Sequence, residues 1–114
     1  MKTPVKGVFN GAFDTVDNIK ISPFSRAYTF SDSVYEVVPF FNSSAIAFND
    51  HIKRLEFSAN QLSMDVDLEK IVFEINSLIK SSEFENGYVY YQVTRGVDSI
   101  RSHMHEPELA IETF

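Results

Sequence analysis

The chain has 114 residues, 44% of them hydrophobic, with eleven phenylalanines and five tyrosines, which is enough for one domain with its own core and too apolar for a disordered chain. It has no cysteine, which excludes a disulfide scaffold, a cysteine nucleophile and sulfur-ligated metal centres. Ten basic against sixteen acidic side chains give a formal net charge of −6, which argues against a nucleic-acid surface but leaves room for a small, local anion site.

Residues 7–13 place Asn10-Gly11 between apolar neighbours, the signal for a tight hairpin turn of type I′. Ile19 and Ile21 alternate with polar residues as in a short strand ended by Pro23, and residues 24–33 read as a structured loop rich in hydroxyls and aromatics. Val34–Phe41 is a strand in which Pro39, lacking a donor, belongs at a bulge, an edge or an end. Asn42-Ser43-Ser44 turns the chain into a return strand, Ala45–Phe48.

Asn49 or Asp50 is the expected cap of a helix running to about Leu62, with Ile52, Leu55, Phe57, Ala59 and Leu62 as its approximate buried face. Asp65 or Asp67 caps a second helix, where Leu68, Ile71, Val72, Ile75, Leu78 and Ile79 form an apolar stripe. Asn86-Gly87 breaks the chain before a strand over Tyr88–Thr94, and the tail Glu106–Phe114 has room for one more short strand. Hairpin strands, two consecutive helices and a further strand predict an α+β two-layer sandwich, with a largely antiparallel or mixed sheet and two helices on one face. No glycine-rich phosphate loop is present. No apolar run approaches the ~18 residues of a membrane span, and the N-terminus lacks a signal-peptide core, so no membrane and a cytoplasmic location are expected.

Arg95, Arg101 and His103 gather around the end of the last long strand. Guanidinium and imidazole donors there suit a carboxylate or phosphate, while ordinary surface ion pairs account for the same spacing. His103-x-His105 offers two imidazoles without a third ligand, so no metal site is nominated. Alternation puts Tyr35 and Val37 on one face of their strand and Glu36 and Val38 on the other. The Tyr35 hydroxyl either joins an anion site or simply reaches water. His51 and Arg54 share a helix face, where Arg54 either grips phosphate or pairs with Glu36 or Glu56. Tyr88 and Tyr90 share a face and read first as packing. Ser31-Asp32-Ser33 has nucleophile-like residues but neither a placed histidine nor a strained elbow, which disfavours hydrolase chemistry. None of the lysines sits in the apolar setting that depresses an amine pKa, so no catalytic lysine is assigned.

Five stretches in order resemble class IV pyridoxal-phosphate-dependent aminotransferases, most closely the D-amino-acid branch. They are Asn10-Gly11, Ile21–Phe30, Asp32–Val38, His51–Leu55 with Ser58-Ala59, and Gln92–Gly96 with Arg101-Ser-His103. The resemblance implies that residues 1–114 are the N-terminal small domain, with a larger cofactor-lysine domain beyond Phe114. It also implies pyridoxal 5'-phosphate as cofactor of the complete protein, not retained by the isolated domain. Arg54 then contacts the cofactor phosphate, and Tyr35, Arg101 and His103 hold a substrate carboxylate. In that branch the clamp reaches across a homodimer interface, so it would serve the neighbouring active site. The implied reaction is amino transfer between a D-amino acid and a 2-oxo acid, with the 114-residue chain alone inactive. An N-terminal domain of an aminodeoxychorismate lyase of the same fold is one alternative, and a non-catalytic dimerisation or small-anion-binding module is the other. Ser31 and Ser33 stand where the family usually has glycines, so a different loop path before Tyr35 is expected. Val97–Ile100 is one residue longer than usual, a change able to redirect Arg101 and His103.

Overall fold

A computed structural model describes residues 4–106 and 108–114. Asn10 and Gly11, both at positive φ, turn β1 (Lys6–Phe9) into β2 (Ala12–Thr15) as the Asn-Gly pair predicts. A single 3-10 turn, Val16–Asn18, follows, and the strand expected around Ile19 and Ile21 does not form. These isoleucines line a groove beside the hairpin instead, which shows how short alternation can come from non-strand chain. Residues 24–33 are likewise not only loop: α1 (Arg26–Phe30) forms one helical turn and ends at Ser31 with φ 54°. Serine therefore adopts the left-handed conformation here, and Ser33 already belongs to the next strand.

β3 (Ser33–Phe41) pairs antiparallel with β5 (Gly87–Thr94) along nearly its full length. The four-stranded sheet has the order β4-β3-β5-β6, where β4 is Ser44–Ala45 and β6 is Glu112–Thr113. The return strand is shorter than the expected Ala45–Phe48, because Ala47 turns left-handed and Phe48 already opens α2 (Phe48–Gln61). Ala47, rather than Asn49 or Asp50, occupies the cap position, without a side-chain hydrogen bond. The Pro39 carbonyl accepts from the Ile46 amide at 2.8 Å, on the side of the sheet where β4 is running out. Its missing N–H points the same way, so the one bond it forgoes is the reciprocal one to Ile46, just beyond the end of β4, in keeping with the expected edge or end position. Asp67 caps α3 (Leu68–Ser81) by accepting from the Lys70 amide at 3.1 Å. Pro107, inside the expected tail strand, lies outside the described residues.

The helices cover one face of the sheet, giving the α+β two-layer arrangement. Val38, Phe40, Val89, Tyr91 and Val93 meet Leu55 and Ala59 of α2 and Ile71, Ile75 and Ile79 of α3. Each such aliphatic side chain contributes about 1.5–3 kcal/mol through removal from water. Phe57, expected in this core, is 63% exposed: three or four residues separate successive buried positions, and residue 57 falls between Leu55 and Ala59. Glu74 takes a core position instead, where its Oε2 accepts the Tyr91 hydroxyl.

Candidate functional site

Strand alternation turns Glu36 toward the helices, at 3% exposure, in a position where a β-strand normally places an apolar residue. The carboxylate accepts from His51 Nδ1 at 2.6 Å, and from Arg54 Nε at 3.0 and 3.1 Å to its two oxygens. Arg54 Nη2 also donates to Glu36 Oε1. Burial alone would raise the Glu36 carboxyl, but the Arg54 and His51 bonds outweigh it and hold the group below its ordinary range. The same bonds raise Arg54, keeping it charged.

The Arg54 side chain is nevertheless 66% exposed. It borders a recess of about 360 Å³ lined by Tyr35, Glu36, Val37, Arg54 and Ser58. The recess lies along β3 where β4 no longer pairs with it, since that pairing is confined to Phe40 and Phe41. Among the described residues no lysine lines it; Lys2 is outside them. Its chemistry is that of one guanidinium edge, a serine hydroxyl and a tyrosine beside the Glu36 carboxylate that Arg54 neutralises, a set able to meet one or two oxygens of an anion.

Tyr35 projects to the helix-free face, 59% exposed, and stacks on Tyr90 with ring centroids 5.2 Å apart. The Tyr90 hydroxyl donates to Gln92 Oε1 at 3.0 Å, and Gln92 Nε2 donates to Ser33 Oγ at 2.9 Å, so a side-chain chain runs from β5 back to the base of β3. Burial, followed by the nearby Tyr35, raises the Tyr90 phenol. Tyr88 is largely exposed, which corrects the packing reading for that residue, while Tyr90 packs against Tyr35 on the helix-free face. Tyr88 and Tyr90 also border a largely apolar groove of about 630 Å³ where β5 and the end of α3 meet the first hairpin.

Arg101 and His103 line neither cavity. Arg101 lies over the Phe24 ring at 4.8 Å, and His103 is exposed. The four predicted site residues thus form two groups, Tyr35 with Arg54 and Arg101 with His103. Arg95 joins neither group: its Nε and Nη2 donate to Asp32 at 3.1 and 3.2 Å, and its remaining donors reach the carbonyls of Leu62 and Ser63. The loop before Arg101 is built on Asp98, whose carboxylate accepts the Ile100 amide at 3.0 Å and the Glu106 amide at 3.1 Å. Those two bonds lower the Asp98 carboxyl.

Sequence reasoning named Ser58 only within a matching stretch, without a role, and did not single out Asp98. For the Glu36–His51–Arg54 cluster a signal existed: an acidic residue on the inward face of a strand demands partners, and His51 and Arg54 share a helix face. Among the described residues no group of three or more histidines and carboxylates could hold a metal ion, and no helix is long and apolar enough to cross a membrane.

The two-layer α+β domain presents an arginine held by a strand carboxylate beside an open tyrosine. The family model for amino-transferase class IV matches residues 33–113, and the chain belongs to that family. A D-alanine aminotransferase from Listeria innocua is 35% identical over 89 residues, covering 76% of this chain and 31% of its own length. The branched-chain amino acid aminotransferase from Escherichia coli shares the fold with a TM-score of 0.87 at 16% identity, over 97% of this chain and 39% of that one. A 4-amino-4-deoxychorismate lyase from Pseudomonas aeruginosa has a TM-score of 0.73 at 19% identity, over 83% of this chain and 34% of that one. The chain spans about a third of the length of the curated relatives it matches.

Proposed function

We propose that this chain is the small N-terminal domain of a pyridoxal-phosphate-dependent transaminase that moves an amino group between a D-amino acid and a 2-oxo acid. The carrying observation is Arg54, fixed by Glu36 on one edge and largely exposed beyond it, in a recess shared with Tyr35 and Ser58. That donor set fits one contact to a cofactor phosphate. When bound, pyridoxal phosphate supplies the electron sink for the substrate's α-carbon chemistry.

The roles left to this chain are binding and orientation. Arg54 holds phosphate through its free edge while Glu36 and His51 set the guanidinium plane. Tyr35, stacked on Tyr90, borders the substrate. Arg101 and His103 supply donors for the substrate carboxylate, and their separation from the Tyr35–Arg54 recess supports a clamp that serves the active site of a neighbouring copy in a homodimer. The proton-moving lysine comes from a second domain. The D-amino-acid reading draws on the Arg101-x-His103 spacing and on the Listeria relative.

Purified chain incubated with pyridoxal phosphate, D-alanine and 2-oxoglutarate is expected to form no pyruvate and to show no lysine Schiff-base absorbance. Inorganic phosphate is expected to shift the Arg54 guanidinium resonance by NMR in the native chain. In Arg54→Gln, the responses of the neighbouring Tyr35 and Ser58 signals should be lost. Turnover by the chain alone, or phosphate that leaves Arg54 and Tyr35 unmoved, overturns the reading.

A further inference from the structure

Arg26 is an arginine whose charge is buried and whose contacts converge on the loop that carries Arg101 and His103. It is 4% exposed, and its guanidinium lies 4.4 Å from the Phe30 ring centroid. Nε donates to Asp32 Oδ2 at 2.9 Å, Nη1 to the Ser102 carbonyl at 2.6 Å and Nη2 to the His103 carbonyl at 3.4 Å. Its backbone joins the same ends, because the Arg26 amide donates to Gly96 and its carbonyl accepts from Asp32. Asp32 is in turn shared with Arg95, at the end of β5.

We infer that Arg26 is a positioning residue for the carboxylate clamp, setting the aim of Arg101 and His103 by holding the two carbonyls of Ser102 and His103. This rests on the clamp reading given under Proposed function and assigns it a residue outside the four named there.

The physical reasoning starts from the loop. Residues 97–106 contain no helix or strand, so the direction of each side chain depends on local tethers. Asp98 ties down the amides at either end of the segment. The middle is held from the other side, where the guanidinium binds consecutive carbonyls and so fixes the peptide planes on both sides of the His103 Cα. Asp32 neutralises the guanidinium and orients it, and the Phe30 ring closes one face. A lysine keeps the charge beside Asp32, but a single ammonium point cannot reproduce a planar fork spanning a carboxylate and two carbonyls. Asp32 also immediately precedes β3, which carries Tyr35, so the same brace connects the strand with the clamp loop.

The test titrates pyruvate into the full chain and follows the Arg101 guanidinium and His103 imidazole resonances, alongside urea unfolding. Native chain is expected to give saturable shifts, Arg101→Ala to lose them at His103, and Arg26→Lys to weaken pyruvate by about tenfold while folded, as misplacement of an orienting group does. The double variant R26K/R101A should bind no more weakly than R101A, because Arg26 acts through the clamp. A merely structural role would lower the urea midpoint and leave affinity of the folded protein unchanged. Native affinity in R26K alongside loss in R101A overturns the brace and leaves the clamp standing, as does a double-variant loss equal to the product of the two singles. Native affinity in R101A, or no saturable shift in the native chain, overturns the clamp and the brace with it. Should R26K fail to fold, Phe30→Leu removes only the ring beneath the guanidinium and is expected to weaken pyruvate about threefold; unchanged affinity there overturns the brace.

Discussion

Asp32→Asn isolates the energetic role of the carboxylate shared by Arg26 and Arg95. Asparagine keeps the shape and one acceptor oxygen but removes the charge that neutralises a guanidinium whose side chain is only 5% exposed. Removing one partner of a buried ion pair costs about 3–5 kcal/mol, and a value near the lower figure, about 3 kcal/mol, is expected because Arg95 retains the Leu62 and Ser63 carbonyls. That is a large part of the roughly 5–15 kcal/mol that holds a domain folded. With a urea slope of about 1–3 kcal/mol per molar, the unfolding midpoint at neutral pH falls by about 1–3 M, measured by far-UV circular dichroism. The pH dependence gives a second reading. Burial would raise the Asp32 carboxyl, but the Arg95 and Arg26 hydrogen bonds and charges hold it below 3.8. A depressed folded-state pKa means stability fully present above the unfolded value and lost as pH falls through the folded one. The difference between native chain and variant should therefore narrow as pH drops below 3.8. A variant as stable as the native chain at neutral pH, or a difference that does not narrow in acid, refutes the reasoning.

Tyr91→Phe strips Glu74 of the one hydrogen-bond donor it has among the described residues, leaving a buried carboxyl whose Oε1 meets among them only Lys70 Nζ, at 3.9 Å. An orphaned buried polar group costs about 1–3 kcal/mol, and adding Glu74→Leu should recover part of it; urea midpoints of the single and double variants compare the two. Gly96→Ala meets two obstacles, a φ of 108° and a Cβ that would lie 2.1 Å from the Ala110 carbonyl oxygen. A loss of roughly 3 kcal/mol or more is expected, seen as a lower thermal midpoint, and native-like stability would show that residues 108–111 yield to the added methyl.

The elements that were legible in sequence are those with long periodicity or specific turn chemistry. β3, β5, α3 with its Asp67 cap and the Asn10-Gly11 hairpin all follow from patterns of side chains along the backbone. The errors cluster where a few residues decide the path. Ile19 and Ile21 imitate a strand, Phe57 imitates a core position, and Ala47 starts a helix without a capping side chain. The four candidate residues were nominated from type, spacing and resemblance. The partition into two groups was not legible, because it depends on the loop after Gly96 and on distances across the fold. Arg95 shows the same limit: its spacing suggested an anion donor, and its donors are taken up by Asp32 and two carbonyls. Alternation grouped Glu36 with Val38 without saying which face is inward, and the structure turns that face toward the helices.

The tie between Asn10 and Thr113 has a consequence for the order in which this domain can be made. The Asn10 amide donates to the Thr113 carbonyl at 2.8 Å, and Asn10 Oδ1 accepts the Thr113 amide at 2.9 Å across 103 residues. The hairpin therefore waits for Thr113, 103 residues further along the chain, before it finds this partner, while β3, the two helices and β5 can associate earlier. A translation pause before residue 113 would hold a nascent chain whose central layers have met but whose opening hairpin still lacks its seat on the sheet.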